Sequence, residues 1–365
     1  MASLIQRPSL QFFLGFILAI VYIPGWVGAA VSTSWFFLLF IIPILLCFCK
    51  IEIKNAHKFG FLFLAYVCLS LAWTQNFNIG FFILLQIVVL GCVFCLGSCL
   101  NDMRSVFKGL ALGLGVSALL AIAQFKGFAD VYTLNNDIAG LFVNPNVFCE
   151  VSVILFLSLI ILKLWWWILV TLPGIILVHS RAALLALICG LFIWLWPRSR
   201  LAVYILGALF LMISLIYYSG HDFSISSIDE RFALWKDTIR GFKIFGNGVG
   251  SFEILYPKYA INVDTIISRP KYAHNEFLHY WFEFGIGTLL LIPLIWNVIK
   301  IKRDERIILY GIGIVSLFAF PMHIPVVAFI GCLAAGYITR FDAADEHFRL
   351  HRRSTVFSWN KAIEY

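Results

Sequence analysis

Charged residues are scarce in this chain. Asp, Glu, Lys and Arg make up 13% of its 365 residues, whereas hydrophobic residues make up 62%. A soluble domain of this length has too little interior to cover so much apolar surface, so the composition excludes one. With a mean hydropathy of +0.94, the sequence predicts an all-α, polytopic integral membrane protein.

Cysteine is missing from the longest polar segment, residues 219–278, although nine cysteines lie in or beside the apolar segments. A disulfide framework is therefore not expected. Cys92 and Cys95 form a CxxC pair, but no second pair and no nearby His accompanies them, which favours packing over metal binding. We expect no metal site and no cofactor.

A nucleotide-binding P-loop is also missing. Residues 246–250 read Gly-Asn-Gly-Val-Gly, but no strand precedes them and no Lys-Ser or Lys-Thr pair follows. These glycines are expected to end a helix and to turn the backbone tightly toward the membrane. No cleavable signal peptide is evident, so the first apolar segment is expected to be an uncleaved anchor.

Apolar windows of about 17 to 20 residues, long enough to cross roughly 30 Å of hydrocarbon, predict about twelve membrane helices. These lie near residues 10–26, 34–49, 57–74, 79–97, 106–126, 146–162, 164–180, 182–196, 201–218, 279–299, 306–322 and 323–337. The predicted divisions are nine helices in residues 1–218, one large external loop in 219–278, three helices in 279–340 and a cytoplasmic tail in 341–365.

The positions of the basic residues predict the orientation of these helices. With the N-terminus inside, 18 of the 27 Lys and Arg residues fall in predicted cytoplasmic segments, in agreement with the positive-inside rule. Both termini are therefore predicted to be cytoplasmic. The net charge of +8 follows from this bias, so no nucleic-acid partner is expected.

Arg181 follows Ser180 at the predicted start of the eighth span, on the external face. A cation at a helix N-terminus is unfavourable unless an anion also binds there, and the free N–H groups and the dipole favour a phosphate. The alternative is an arginine that only extends its side chain to the membrane interface.

Residues 227–242 predict an amphipathic helix on the membrane surface. Ser227-Ile-Asp-Glu230 reads as a capping box, followed on one face by Ile228, Phe232, Trp235, Ile239 and Phe242. Arg231 lies in the first turn, where the helix dipole does not favour a cation. It is either a site residue or a solvated residue paired with a nearby acid.

A His-Asn pair marks the junction between the polar loop and the tenth span. His274 lies near a helix N-terminus, which lowers the pKa of imidazole and favours the neutral form that accepts a proton from a hydroxyl. Glu150, inside the sixth span, is a candidate partner for an arginine. His279 and Glu283 are one turn apart, which favours a buried hydrogen bond over a metal site.

Three blocks resemble the O-antigen ligase and polymerase superfamily of bacterial membrane glycosyltransferases. They are Ser180-Arg-Ala-Ala-Leu, Arg231-x3-Trp235 leading to Gly246-x-Gly-x-Gly250-Ser-Phe-x3-Tyr-Pro257, and His274-Asn275 with Gly285 nearby. The motif Gly285-Ile-Gly-Thr288 is one residue shorter than the usual G-x-x-G-T, and the external loop is short for a ligase. The choice between ligase and polymerase therefore stays open.

The resemblance implies an enzyme of the bacterial inner membrane that transfers a glycan from undecaprenyl diphosphate to an acceptor hydroxyl on the periplasmic side. The expected acceptor is lipid A core, as for an O-antigen ligase, and the alternatives are a second lipid-linked glycan, as for a polymerase, or a protein. The implied catalytic residues are His274, Arg181 and Arg231. Further candidates for substrate binding are Asn275, Glu276, Trp235, Lys258, Arg269 and Lys271.

A transporter or lipid flippase is the alternative from a different class, because such proteins also have many spans. That function predicts charged residues near the bilayer midplane and a pair of broken helices in the two halves of the chain. Here the notable basic residues are predicted to gather at one membrane face, which favours chemistry on a lipid headgroup.

Overall fold

A computed structural model describes residues 6–20, 27–128, 138–142, 144–178, 180–208, 226–261 and 270–341. Within these ranges the regular elements are helices and no strand occurs, so the all-α class is confirmed. The candidate Arg269 and almost all of the predicted tail lie outside the described residues. The boundary near residue 218 does so as well, and the predicted division of the chain stays a prediction.

The α-helices follow one another along the chain, with short 3₁₀ turns between some of them. They are α1 (Pro8–Ile20), α2 (Val27–Leu46), α3 (Asn55–Ser70), α4 (Phe77–Cys99), α5 (Arg104–Phe125), α6 (Pro145–Ile161), α7 (Leu172–Ile176), α8 (Arg181–Leu195), α9 (residues 200–208), α10 (Ser226–Arg240), α11 (Phe252–Leu255), α12 (Glu276–Phe284), α13 (Leu291–Ile299), α14 (Arg306–Ser316) and α15 (Pro325–Thr339).

Four helical stretches of the described chain are long and apolar enough to cross a membrane. They are Asn55–Trp73, Phe77–Cys99, Arg104–Phe125 and Glu276–Ile299. A helix overlaps each of the predicted spans, but the other apolar helices are shorter, and the count of twelve is not confirmed. The predicted span 164–180, for example, is divided between a 3₁₀ segment and the short helix α7, which has a proline in its first turn.

Glycines bring two pairs of helices into backbone contact. A Cβ added to Gly15 of α1 would lie 2.0 Å from the carbonyl oxygen of Val106 in α5. A Cβ added to Gly336 of α15 would lie 1.9 Å from the carbonyl oxygen of Phe94 in α4. Such close approach stabilises helix pairs in a bilayer, where van der Waals packing replaces the hydrophobic effect between helices. The first and last described helices are thus fixed against α5 and α4.

Segments predicted to share the cytoplasmic face contact one another. Lys54 Nζ donates a hydrogen bond to the carbonyl oxygen of Arg340 at 3.1 Å. Arg198, which follows α8, forms an ion pair with Asp304, which precedes α14. These contacts are compatible with the predicted sidedness, whereas the orientation of the termini stays a prediction.

The segment predicted to form the external loop includes helix α10, which begins at Ser226, one residue before the predicted cap Ser227. Leu234 of this helix is buried in a small apolar cluster with residues of α11 and α12. Phe232 and Ile239 are exposed, with 60% and 52% of their surface accessible. An apolar face left uncovered by protein fits the predicted position of α10 on the membrane surface.

Candidate functional site

The segment that carries His274 is held by contacts on both sides. Asn275 is the N-cap of α12, and its side-chain oxygen accepts a hydrogen bond from the N–H of Leu278 at 3.0 Å. Trp235 of α10 donates its indole N–H to the carbonyl oxygen of Ala273 at 3.0 Å. The backbone of His274 itself has φ 50°, in the left-handed region. A residue other than glycine in that region carries a strain of about 1–3 kcal/mol, which the surrounding contacts must hold in place.

His274 is half-buried, with its ring edge-on to Phe320 at 5.0 Å between centroids. Burial lowers the pKa of His274 to about 4, and the positive charge of Arg231 contributes to the shift. The lowered pKa agrees with the prediction of a neutral imidazole. The pKa of His274 is lowered mainly by burial and then by the neighbouring guanidinium of Arg231. The sequence analysis had attributed the lowered pKa to the helix dipole instead.

Arg231 lies near the start of α10 and is half-buried. Burial lowers the pKa of its guanidinium, the Glu150 carboxylate opposes this, and the positive charge of Arg181 lowers it further. These charge interactions bring together residues of α6, α8 and α10 that are far apart in the sequence. Of the two interpretations of Arg231, these interactions of a half-buried side chain favour the site residue.

Arg181 is the first residue of α8, and Ser180 is its N-cap, as the sequence predicts. The hydroxyl of Ser180 makes no capping hydrogen bond to the first turn. The N-terminal part of α6 contacts the residues just before α8, because the thiol of Cys149 donates to the carbonyl oxygen of Val178 at 3.5 Å. The N–H groups of this helix N-terminus and the exposed guanidinium of Arg181 belong to the same helical turn, which suits an anion.

Glu150 is the buried acid of this site, with 3% of its surface exposed. It interacts electrostatically with Arg231 and with Glu276. Its Oε2 atom has no hydrogen-bond partner among the described residues. The interaction with Arg231 agrees with the expectation that this acid in the sixth span is a partner of an arginine, which stays a prediction.

The glycine-rich loop, residues 246–250, forms hydrogen bonds with the backbone of the protein itself. Helix α10 ends at Arg240, before the first of these glycines, so the expectation that they end the helix is wrong. The expected tight turns are present, because Gly246, Gly248 and Gly250 all have positive φ. The N–H of Gly248 donates to the carbonyl oxygen of Glu283 at 2.9 Å.

The other predicted binding residues divide into two groups. Trp235, Asn275 and Glu276 make hydrogen bonds within the protein that position the His274 segment. Lys258 and Lys271 are exposed, and neither contributes to the shifted pKa of Arg231 or of His274. Their assignment to substrate binding stays a prediction.

His279 and Glu283 are buried one turn apart in α12, but their closest side-chain atoms are 3.7 Å apart. This distance is too long for the expected hydrogen bond. Glu283 Oε1 instead accepts from the N–H of Phe252 at 3.2 Å, because the loop after Gly250 has donors that need an acceptor. No group of three or more His, Cys, Asp or Glu side chains within the described ranges is arranged to hold a metal ion.

His323 is a site residue that the sequence analysis missed. It lies in the 3₁₀ turn Pro321–His323 between α14 and α15, and its Nδ1 is 3.3 Å from Glu276 Oε1. The available signal was an ionisable residue inside an apolar segment, the same signal that pointed to Glu150.

The fold and the site together define a helical membrane protein in which two arginines and a neutral histidine converge from separate segments. The sequence model of the O-antigen ligase family matches residues 166–293, the stretch that contains Arg181, Arg231 and His274. The match confirms the resemblance and supports the O-antigen ligase superfamily, whose members are membrane glycosyltransferases of ligase or polymerase type. No curated protein matches the chain.

Proposed function

We propose that this protein transfers a glycan from an undecaprenyl-diphosphate-linked donor to an acceptor hydroxyl of lipid A core, in the synthesis of lipopolysaccharide. The observation that carries the proposal is the single network of charge interactions that joins Arg181, Arg231 and His274. Two guanidinium groups suit a diphosphate, and a neutral imidazole suits a hydroxyl. The proposed location is the bacterial inner membrane, with the site facing the periplasm.

In the proposed reaction, the acceptor oxygen attacks the anomeric carbon of the donor sugar. The bond between that carbon and the diphosphate oxygen breaks, and its electron pair leaves with undecaprenyl diphosphate. Arg181 and Arg231 stabilise the negative charge that develops on this leaving group. The first N–H groups of α8 add donors beside Arg181. We propose that these positive charges make a divalent metal unnecessary.

His274 accepts the proton that the acceptor hydroxyl loses. Its pKa of about 4 keeps the imidazole neutral near pH 7, so it is ready to accept a proton, but it is a weak base before the donor binds. A bound diphosphate offsets the positive charge of Arg231, which helps to lower that pKa. Donor binding is therefore expected to raise the basicity of His274 and to couple proton transfer to the presence of the donor.

Glu150 is the buried acid that interacts with Arg231 in the proposed site. This interaction favours the Arg231 guanidinium, whereas Arg181 disfavours it. An arginine stays charged in proteins, so the acid acts on the position of the side chain. We propose that Glu150 orients Arg231 before the diphosphate binds.

A reconstituted assay tests the proposal. Purified protein in liposomes receives an undecaprenyl-diphosphate-linked glycan and lipid A core as a separate acceptor, with chelator added in a parallel reaction. Glycan is expected on lipid A core with the wild type, with or without chelator, and not with His274→Ala. The control variant is Lys243→Ala, which removes an exposed basic residue of the same loop.

The same assay separates the alternatives. Lengthening of the lipid-linked glycan without lipid A core identifies a polymerase, and glycan on an added protein identifies a protein O-oligosaccharyltransferase. Full activity of His274→Ala contradicts the role of His274 as base. If neither product forms with folded protein, a transporter or lipid flippase becomes the better explanation.

A further inference from the structure

The segment that carries His274 is tied to a second segment, residues 317–323, which connects α14 to α15. We call this connection the 317–323 turn. The amide nitrogen of the Asn275 side chain donates to the carbonyl oxygen of Leu317 at 3.1 Å. The N–H of Met322 donates to Glu276 Oε1 at 2.7 Å. Two consecutive residues after His274 thus bind opposite ends of the turn.

Aromatic rings complete the contact between these two segments. Tyr272 stacks on Phe320 with 4.6 Å between ring centroids, and it lies 4.3 Å from the ring of His323. The ring of His274 stands edge-on to the same Phe320. The position of the turn therefore determines where the Phe320 ring lies, against which the His274 imidazole packs.

Glu276 and His323 form the polar centre of this contact. Both side chains are at least nine-tenths buried, and His323 Nδ1 lies 3.3 Å from Glu276 Oε1. A carboxylate accepts only, so the Nδ1–H of His323 is the donor. One carboxylate oxygen thus receives two hydrogen bonds from the turn. A buried acid is costly unless it is bonded in this way, which argues that the contact is specific.

We propose that Glu276 is a positioning residue that acts on His274 through the 317–323 turn. By binding the N–H of Met322 and the imidazole of His323, Glu276 fixes the turn against the first turn of α12. The fixed turn holds His274 in its left-handed conformation, with its ring beside Phe320 and close enough to Arg231 for electrostatic interaction. The inference rests on the proposed function of His274 as the base, and it replaces the expectation that Glu276 binds substrate.

The test compares Glu276→Ala and Glu276→Gln in the reconstituted assay, with kcat and the donor KM measured separately. Glu276→Ala should lower kcat by about 100-fold, because misplacement of a reacting group by about 1 Å has an effect of this size. The donor KM should change less than about twofold, because the arginines that bind the diphosphate are untouched. Glu276→Gln keeps an acceptor oxygen for both donors and should recover much of the loss.

Two further measurements report on His274 itself. In the His274→Ala background, Glu276→Ala should cause no additional loss of kcat, because there is no base left to position. Diethyl pyrocarbonate should modify His274 faster in Glu276→Ala than in the wild type, as read by mass spectrometry. The matched control is Glu305→Gln, which changes a buried glutamate that pairs with Arg303 at the other end of α14.

Three results would overturn the positioning role. They are an unchanged kcat in Glu276→Ala, a raised donor KM with unchanged kcat, or unchanged modification of His274. If Glu276→Ala does not fold, Glu276→Gln and the His323→Ala variant, which removes only the second donor, must show the lower kcat instead. A fully active His274→Ala variant would contradict the proposed role of His274 as the base. An active Glu276→Ala variant together with an inactive His274→Ala variant would contradict only the positioning role of Glu276.

Discussion

Lowering the pH from about 7.5 to about 5.5 is expected to leave kcat/KM nearly unchanged, even though a histidine is the proposed base. An ordinary histidine with a pKa of about 6.5 loses roughly tenfold of its neutral form over this range. With the pKa of about 4 that burial and the charge of Arg231 give His274, the neutral form stays near 97% at pH about 5.5. The measurement is the pH profile of kcat/KM, which reports the free enzyme.

The profile of kcat should differ from that of kcat/KM. The bound diphosphate raises the pKa of His274, so the acid limb of kcat should lie at higher pH than that of kcat/KM. A kcat/KM limb near pH 6.5 would refute the buried, arginine-flanked environment of His274. Coincident limbs for both parameters would refute the coupling between donor and base. His274→Ala is the control, because its residual rate should lack this limb.

The folding of the protein should also depend on His274 at acidic pH. Its pKa in the folded state lies below the ordinary value, so the unfolded chain binds the proton more readily between about pH 6.5 and 4. Stability contributed by neutral His274 is thus lost as the pH falls through this window, by up to about 3 kcal/mol. His274→Ala should show a smaller loss of thermal stability over the same range.

Three other predictions concern binding, the glycine loop and topology. Arg181→Lys should lower kcat/KM by roughly 10- to 100-fold without reducing membrane insertion, because an ammonium cannot form the bidentate bonds of a guanidinium. Gly248→Ala should lower the unfolding temperature, because φ is 93° and the new Cβ would meet backbone atoms at 2.7 Å, whereas Gly60→Ala, with nothing within 4 Å, should not. A membrane-impermeant thiol reagent added from the periplasmic side should label Lys258→Cys and spare Lys50→Cys, since both positions are exposed.

Each of these predictions has a contrary result. Wild-type turnover by Arg181→Lys would count against an essential guanidinium. Equal unfolding temperatures for the two glycine variants would mean that the loop does not pack as described. Labelling of Lys50→Cys from the periplasmic side would invert the topology and remove the argument that the donor lies in the outer leaflet.

The sequence predicts helix positions well and helix lengths poorly. Apolar windows locate α3, α4 and α5 within a few residues, because hydrophobicity depends on local composition alone. The interruptions at Trp165–Thr171 and Gly285–Leu290 depend on tertiary contacts, which a hydropathy window does not contain. For this reason the number of spans could not be established from the pattern.

The residues that could carry the chemistry of the candidate site were predictable from the sequence. The contacts that hold them in position were not. Arg181 and His274 are conspicuous because each is a polar residue at an apolar boundary. Arg231 is conspicuous because it lies in the first turn of a helix, where the dipole does not favour a cation. The contact between Glu276 and His323 joins positions 47 residues apart, and no local signal specifies such a pairing. Sequence reasoning therefore assigned Glu276 to the substrate, whereas the structure joins it to another part of the protein.

The hydrogen bonds between the glycine loop and α12 have a consequence for the lifetime of the protein in the membrane. The helical stretch Glu276–Ile299 changes from α to 3₁₀ at Gly285, and the carbonyl groups of Phe282 and Glu283 accept from the N–H groups of Asn247 and Gly248. In hydrocarbon these carbonyls would otherwise lack donors. Substitutions in this loop, which is predicted to lie outside the membrane, are therefore expected to cause defects in insertion and faster proteolysis. These effects should be measurable before any change in the chemistry of the surviving molecules.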